Sequence, residues 1–123
     1  MGWIVGCNNS ETIPNTDIDV ARAFIKNILE DKFDVADQFI LKDEVNQEYF
    51  ALFKEKYHKK SSSELDNFKH ADIIIHEIEN VNDTISIINY SNSYKKDSRS
   101  IIKTIRRNGK WLVDFKYTFS GNL

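Results

Sequence analysis

The chain has 123 residues, the length of one domain able to bury its own core without metal or disulfide. Hydrophobic residues make up 41% and charged residues 29%, the balance of an ordinary globular protein. A net charge of −2 argues against a nucleic-acid partner, whose phosphates call for a basic face, and a single cysteine forbids an internal disulfide.

The chain opens with an apolar run closed by that cysteine. Ile4-Val5-Gly6-Cys7 resembles the bacterial lipobox, in which aliphatic and small residues precede a cysteine that receives diacylglycerol. The basic start and most of the apolar run of a secretory leader are missing upstream. Residues 1–7 therefore read as the remnant of a lipoprotein signal, with Cys7 as the lipidation site and the chain as given soluble. Residues 8–16, "NNSETIPNT", are polar, hold the only proline and read as a tether. No stretch approaches the ~20 apolar residues of a membrane-spanning helix.

A single domain is expected over 17–119, followed by a short tail over 120–123. Asn15 or Thr16 can cap a first helix whose opening turn carries Asp17 and Asp19, where the helix dipole favours carboxylates. Ile18, Ala21, Ile25, Ile28 and Leu29 recur at helical spacing and predict a buried stripe over about 17–30. The chain then turns through Asp31-Lys32 into a short helix carrying Val35, Ala36 and Phe39. A third helix is predicted from about Asp43 to Lys60, with Val45, Tyr49, Phe50, Phe53 and Tyr57 on one side and "KKSSSELDN" ending it.

Beyond this point the period changes from helical to alternating. "ADIIIHEIE", "TISIINYSNSY", "SRSIIKTIRR" and "KWLVDFKYTF" are rich in β-branched and aromatic residues and predict four strands. Turns fall at Asn82-Asp83, at Lys95-Lys96-Asp97 and at Asn108-Gly109, the last a strong hairpin signal because both positions tolerate positive φ. Helices followed by a meander predict an α+β domain with the helices on one face of a four-stranded antiparallel sheet.

A two-residue turn at Asn108-Gly109 fixes the closing register. Arg107 faces Lys110, Ile105 faces Leu112, Lys103 faces Asp114 and Ile101 faces Lys116. On the other face Arg106 stands beside Trp111, Thr104 beside Val113, Ile102 beside Phe115 and Ser100 beside Tyr117. Trp111, Val113, Phe115, Tyr117 and Phe119 then form an apolar row that should meet the helices, with Arg106 lying over Trp111 at its end.

"IDVARAFIKNILEDKFDVADQFI" and "RRNGKWLVDFKYTF" resemble the opening helices and closing hairpin of nuclear transport factor 2-like domains. Within that superfamily the chain is most similar to small lumazine-binding-like domains of bacterial lipoproteins. The resemblance implies a curved, cone-shaped (cystatin-like) sheet wrapped against helices around a pocket. Some relatives use that pocket for catalysis and others for binding or dimerisation; the favoured expectation is a non-catalytic cell-envelope domain, held to a membrane through a lipid anchor, that binds a small apolar ligand or a protein partner. A homodimer through the sheet is compatible with it.

The candidate pocket residues are His76, Arg106, Trp111, Phe115 and Tyr117. No catalytic residue is carried over from the superfamily, no cofactor is expected, and an enzyme is the less favoured reading. The alternative is a pocket enzyme of isomerase or cyclase type using His76 or Asp114 as acid–base, although the register sets Asp114 on the face away from the helices. "HEIEN" at 76–80 lacks the second histidine of a zincin motif, and His70 and His76 in one extended strand would stand about 20 Å apart. No metal site is expected.

Overall fold

A computed structural model describes residues 14–119, with only the backbone described at Phe119. Residues 1–13 and 120–123, and with them Cys7, lie outside the described residues. Four helices come first: α1 (Asp17–Leu29), α2 (Phe33–Ala36), α3 (Glu44–Tyr57) and α4 (Ser62–Lys69). A 3-10 turn, Asp37–Phe39, extends α2. Strands β1 (Ile73–Asn82), β2 (Ile85–Asn92), β3 (Ser100–Arg107) and β4 (Lys110–Val113) follow as an antiparallel meander in the order β1-β2-β3-β4. The α+β class and the helix-before-sheet order are those the sequence predicts.

The start of each longer helix is set by a side chain. Thr16 Oγ1 accepts from the Asp19 N–H at 3.1 Å, Asp43 Oδ1 from the Asn46 N–H at 2.7 Å, and Ser61 Oγ from the Glu64 N–H at 3.1 Å. Each satisfies a first-turn donor that the helix itself cannot. The third cap begins α4, a helix that lies in the segment expected only to end α3. The signal was there, since Ser61 followed three residues later by Glu64 is the pattern of a capping box. His70 consequently sits at the C-terminal cap of α4, outside β1.

Helix α1 is the central element of the core. It buries Val20, Ala21, Phe24, Ile25, Ile28 and Leu29 on one side, against the sheet residues Ile88, Ile102 and Val113. Phe24 meets Phe50 and Phe115, each with ring centroids 5.8 Å away. Phe33 joins the group through Phe50 at 5.5 Å and Tyr57 at 5.4 Å. Val35 and Val45, expected on the buried stripes, are exposed, and Phe33 and Asn46 take the inward positions instead.

The closing hairpin keeps the predicted register from Arg107–Lys110 to Thr104–Val113. Asn108 and Gly109 both have positive φ, 54° and 75°, as a type I′ turn requires. The register runs one step further, where the Asp114 N–H donates to the Lys103 carbonyl at 2.9 Å. There the strand ends, and Phe115–Phe119 turn into a 3-10 helix. This corrects the expected strand over 110–119 and the pairings of Phe115 with Ile102 and Tyr117 with Ser100. The physical cause is Asn46 of α3, whose side-chain oxygen accepts the Lys116 N–H at 2.6 Å and takes the donor the ladder would have used. Beside β4, the Leu41 N–H donates to the Val113 carbonyl at 2.8 Å, so the segment before α3 covers that edge.

Among the described residues two buried side-chain atoms have no hydrogen-bond partner, Asn89 Oδ1 and Thr104 Oγ1. Thr104 is fully buried in the helix-facing side of β3, and its hydroxyl makes no hydrogen bond. A buried unsatisfied hydroxyl costs more than a methyl group of the same shape. Thr104→Val is therefore expected to raise stability by about 1 kcal/mol, read as a higher urea midpoint with an unchanged slope. A loss of stability would show that the hydroxyl has a partner after all.

Candidate functional site

A concavity of about 440 Å³ lies between the helices and the sheet. Ile25, Ile28 and Leu29 of α1, Phe53 and Tyr57 of α3, and Phe68 of α4 supply one wall. Tyr90 of β2, Ile102 of β3 and Phe115 supply the other. These positions follow from the amphipathic pattern of the helices and the alternation of the strands: Ile88 and Tyr90, and Ser100 and Ile102, share the helix-facing side. Pockets of this kind, mostly apolar with a few polar groups, are the usual form of small-molecule sites and span roughly 300–1,000 Å³.

The polar groups inside the wall are already engaged. Tyr57 donates its hydroxyl to the Leu29 carbonyl at 3.2 Å. Burial pushes the Tyr57 hydroxyl up to about 12, and the carboxylates of Asp31 and Glu64 add to the effect. Burial also pushes Tyr90 up to about 12, against a smaller opposing effect of its hydrogen bond with Ser100. Both phenols stay protonated throughout the neutral range. Polar and charged side chains gather at the mouth: Lys56, Lys60, Glu64, Lys95, Ser98, Ser100 and Thr118.

The sequence-predicted site residues are not all brought together. Phe115 lines the cavity, but it arrives there through the 3-10 helix and not as part of a strand row. Trp111 is half-buried and packs against the edge of the core, beside the exposed Arg106 at the turn end of the hairpin. Tyr117 lies under Lys103, whose ammonium stands 5.4 Å from the ring centroid, on the side of β3 away from Ile102. His76 occupies the bulge between Ile75 and Glu77, with its Nε2 2.7 Å from Ser91 Oγ. Ser91 contributes to the cavity edge, whereas His76 does not. The residues that sequence reasoning missed are Phe68, Tyr90 and the mouth lysines. Phe68 was hidden by the missed α4, whereas Tyr90 stands in phase with Ile88 and could have been found from the alternation of β2.

Asp114 is placed in a polar cluster at the other end of α3. It is 6% exposed. Its Oδ1 accepts from Lys116 Nζ at 2.7 Å and from Asn46 Nδ2 at 3.1 Å, and its Oδ2 lies 3.7 Å from Lys103 Nζ. Asn46 also donates to the Leu41 carbonyl at 3.1 Å and is fully buried. Lys116 reaches Asp43 as well, at 3.2 Å. The group has the geometry of a structural clasp: two carboxylates, two ammonium groups and an amide that satisfy one another. Among the described residues, no group of three or more His, Cys, Asp or Glu side chains is arranged to hold a metal ion, and no helix is long and apolar enough to cross a membrane.

Set against known proteins, the chain matches no family model. No curated protein is significantly similar to it in sequence.

The clasp makes stability depend on pH. The Asn46 N–H beside Asp43 holds its carboxyl below the ordinary 3.8, with Lys116 adding to the effect and burial opposing it. Asp114 foremost, then Asp43, holds the Lys116 ammonium above its ordinary 10.5. A carboxyl with a depressed folded-state value stabilises the fold fully above the unfolded value and loses that contribution as pH falls through the folded one. Urea midpoints should therefore drop below about pH 4, and Asp43→Asn should flatten that acid limb while keeping a competent helix cap. An acid limb identical in the variant would remove Asp43 as its source.

Proposed function

We propose that this chain is a non-catalytic binding domain of nuclear transport factor 2-like type whose cavity takes a small apolar ligand. The observation that carries this reading is the cavity itself, walled by Ile25, Ile28, Leu29, Phe53, Phe68 and Ile102, with its two phenols engaged. The order of helices, then meander, then a short closing element supports the superfamily assignment and a sheet curved around the pocket. An uncharged naphthylamine probe should bind with saturation at one molecule per chain, read as enhanced fluorescence. Ile28→Trp, which places a larger ring in the cavity, should abolish that uptake while circular dichroism reports an intact fold. A folded wild-type protein that takes up no probe would defeat the reading.

In its native setting the domain is a lipoprotein of the bacterial cell envelope, anchored through acylated Cys7, with residues 8–16 as the tether. The lipobox pattern and the polar run after it support this.

A second copy of the chain is the favoured protein partner. The sheet face turned away from the helices presents Ile85 and Ile87 of β2, Ile101 and Ile105 of β3, and Leu112 of β4, all half-buried. Glu77 and Glu79 flank these on β1, and Lys103, Arg107 and Lys110 on β3 and β4. A two-fold axis along the strands lays the acidic β1 of one copy over the basic β4 of the other, so the face is self-complementary. Native mass spectrometry of the protein from its own host tests these parts together. It should report acyl mass on Cys7 that is lost in Cys7→Ser, a co-purifying apolar molecule, and twice the chain mass. An unmodified Cys7, an empty protein or a monomer would each remove the corresponding part.

A further inference from the structure

We infer that the ligand of the cavity is a single-chain amphiphile with an anionic head, its alkyl chain inside and its head held among Lys56, Lys60 and Lys95 at the mouth. This rests on the reading of the cavity as an apolar-ligand site and specifies the chemistry that site selects.

The buried polar side chains of the wall are already engaged, Ser91 among them through His76. Tyr57 has committed its hydroxyl to Leu29, Tyr90 is paired with Ser100, and both phenols are held neutral. Burying a charged head there unpaired would cost far more than leaving it in water at the opening. The head must therefore lie at the mouth, where three lysines face one acid, Glu64. Two of these lysines come from the end of α3 and the turn after it, and the third comes from the loop between β2 and β3, so the positive charge arrives from two sides of the opening.

The lysine stems are held close to the mouth by aromatic rings. Lys60 Nζ stands 5.4 Å from the Phe68 ring centroid, and Phe68 is itself part of the cavity wall. Lys95 Nζ stands 4.9 Å from the Tyr94 ring centroid, and Tyr94 packs edge-on against Phe68 at 4.9 Å. Such contacts are worth little at an exposed site, but they keep the two ammonium groups beside the opening. Lys56 is exposed. Each solvated lysine adds a fraction of a kcal/mol to an anion nearby, so three together favour an anionic head over a neutral one by about tenfold, less as salt rises.

The experiment displaces the uncharged naphthylamine probe with twelve-carbon competitors that differ only in the head: dodecanoate, monododecyl phosphate, dodecanol and dodecylammonium. The expected order places both anions about tenfold ahead of dodecanol and dodecylammonium last, with the gap narrowing in high salt. In the Lys56→Glu, Lys60→Glu, Lys95→Glu triple variant the advantage of dodecanoate over dodecanol should vanish or reverse. Equal displacement by dodecanoate and dodecanol, with the probe still bound in their absence, would overturn the anionic head and leave the apolar site standing. Failure of the wild-type protein to bind the probe at all would overturn both. A parallel arm offers anionic phosphatidylglycerol vesicles: sedimentation with them, without displacement by dodecanoate, would make the lysines a membrane-facing patch and overturn the inference. Preference for dodecanoate over monododecyl phosphate, or the reverse, identifies the source of the anion as a free carboxylate or a phosphorylated lipid.

Discussion

Asn46 is the group on which the arrangement of helices and sheet depends. Its amide nitrogen donates to Leu41 and Asp114, and its oxygen takes the Lys116 N–H, so one buried side chain ties the start of α3 to the end of β4. Once Lys116 donates to it, the last strand cannot continue beside β3, and residues 115–119 fold into a 3-10 helix. Phe115 then turns inward, 5.3 Å from Phe50 and 5.5 Å from Phe53. Had the strand run on, Phe115 would have stood in an alternating row instead of against α3. Buried amides are costly unless every lone pair and hydrogen is used. Here the amide nitrogen donates to Leu41 and Asp114 and the oxygen accepts from Lys116, and the geometry is correspondingly specific.

The aromatic cluster and the clasp divide α3 between them. Its first turn is polar and held by Asp43, Asn46 and Lys116, while Phe50 and Tyr57 further along are buried in the core. The cavity opens near the second half, where α3 and α4 diverge around Phe68 and the loop after β2 closes the far side.

The two titratable candidates are both held by neighbours. Asp114 has Lys116, Asn46 and Lys103 around it and belongs to the clasp. His76 is paired with Ser91 in a strand bulge. Ser91 contributes to the cavity wall, whereas Asp114 and His76 do not.

What the sequence determined by itself was local. The helical stripe of α1, the change of period after residue 70, and the positive-φ pair Asn108-Gly109 each follow from the conformational preferences of a few neighbouring residues, and each is found in place. The register from Arg107–Lys110 to Lys103–Asp114 was legible for the same reason, since a two-residue turn leaves one pairing. Helix α4 was legible too, through Ser61 and Glu64, although its polar sequence reads as the stop after α3. What only the tertiary structure decided was where a local pattern gives way to a distant partner. Residues 110–119 alternate as a strand does, and nothing within them signals that Asn46, 70 residues away in the chain from Lys116, takes a backbone donor and ends the ladder. The cavity is equally non-local: its wall combines α1, α3, α4, β2 and β3, and whether facing side chains interdigitate or leave a gap depends on how those elements are spaced in three dimensions, which no single stretch of sequence encodes.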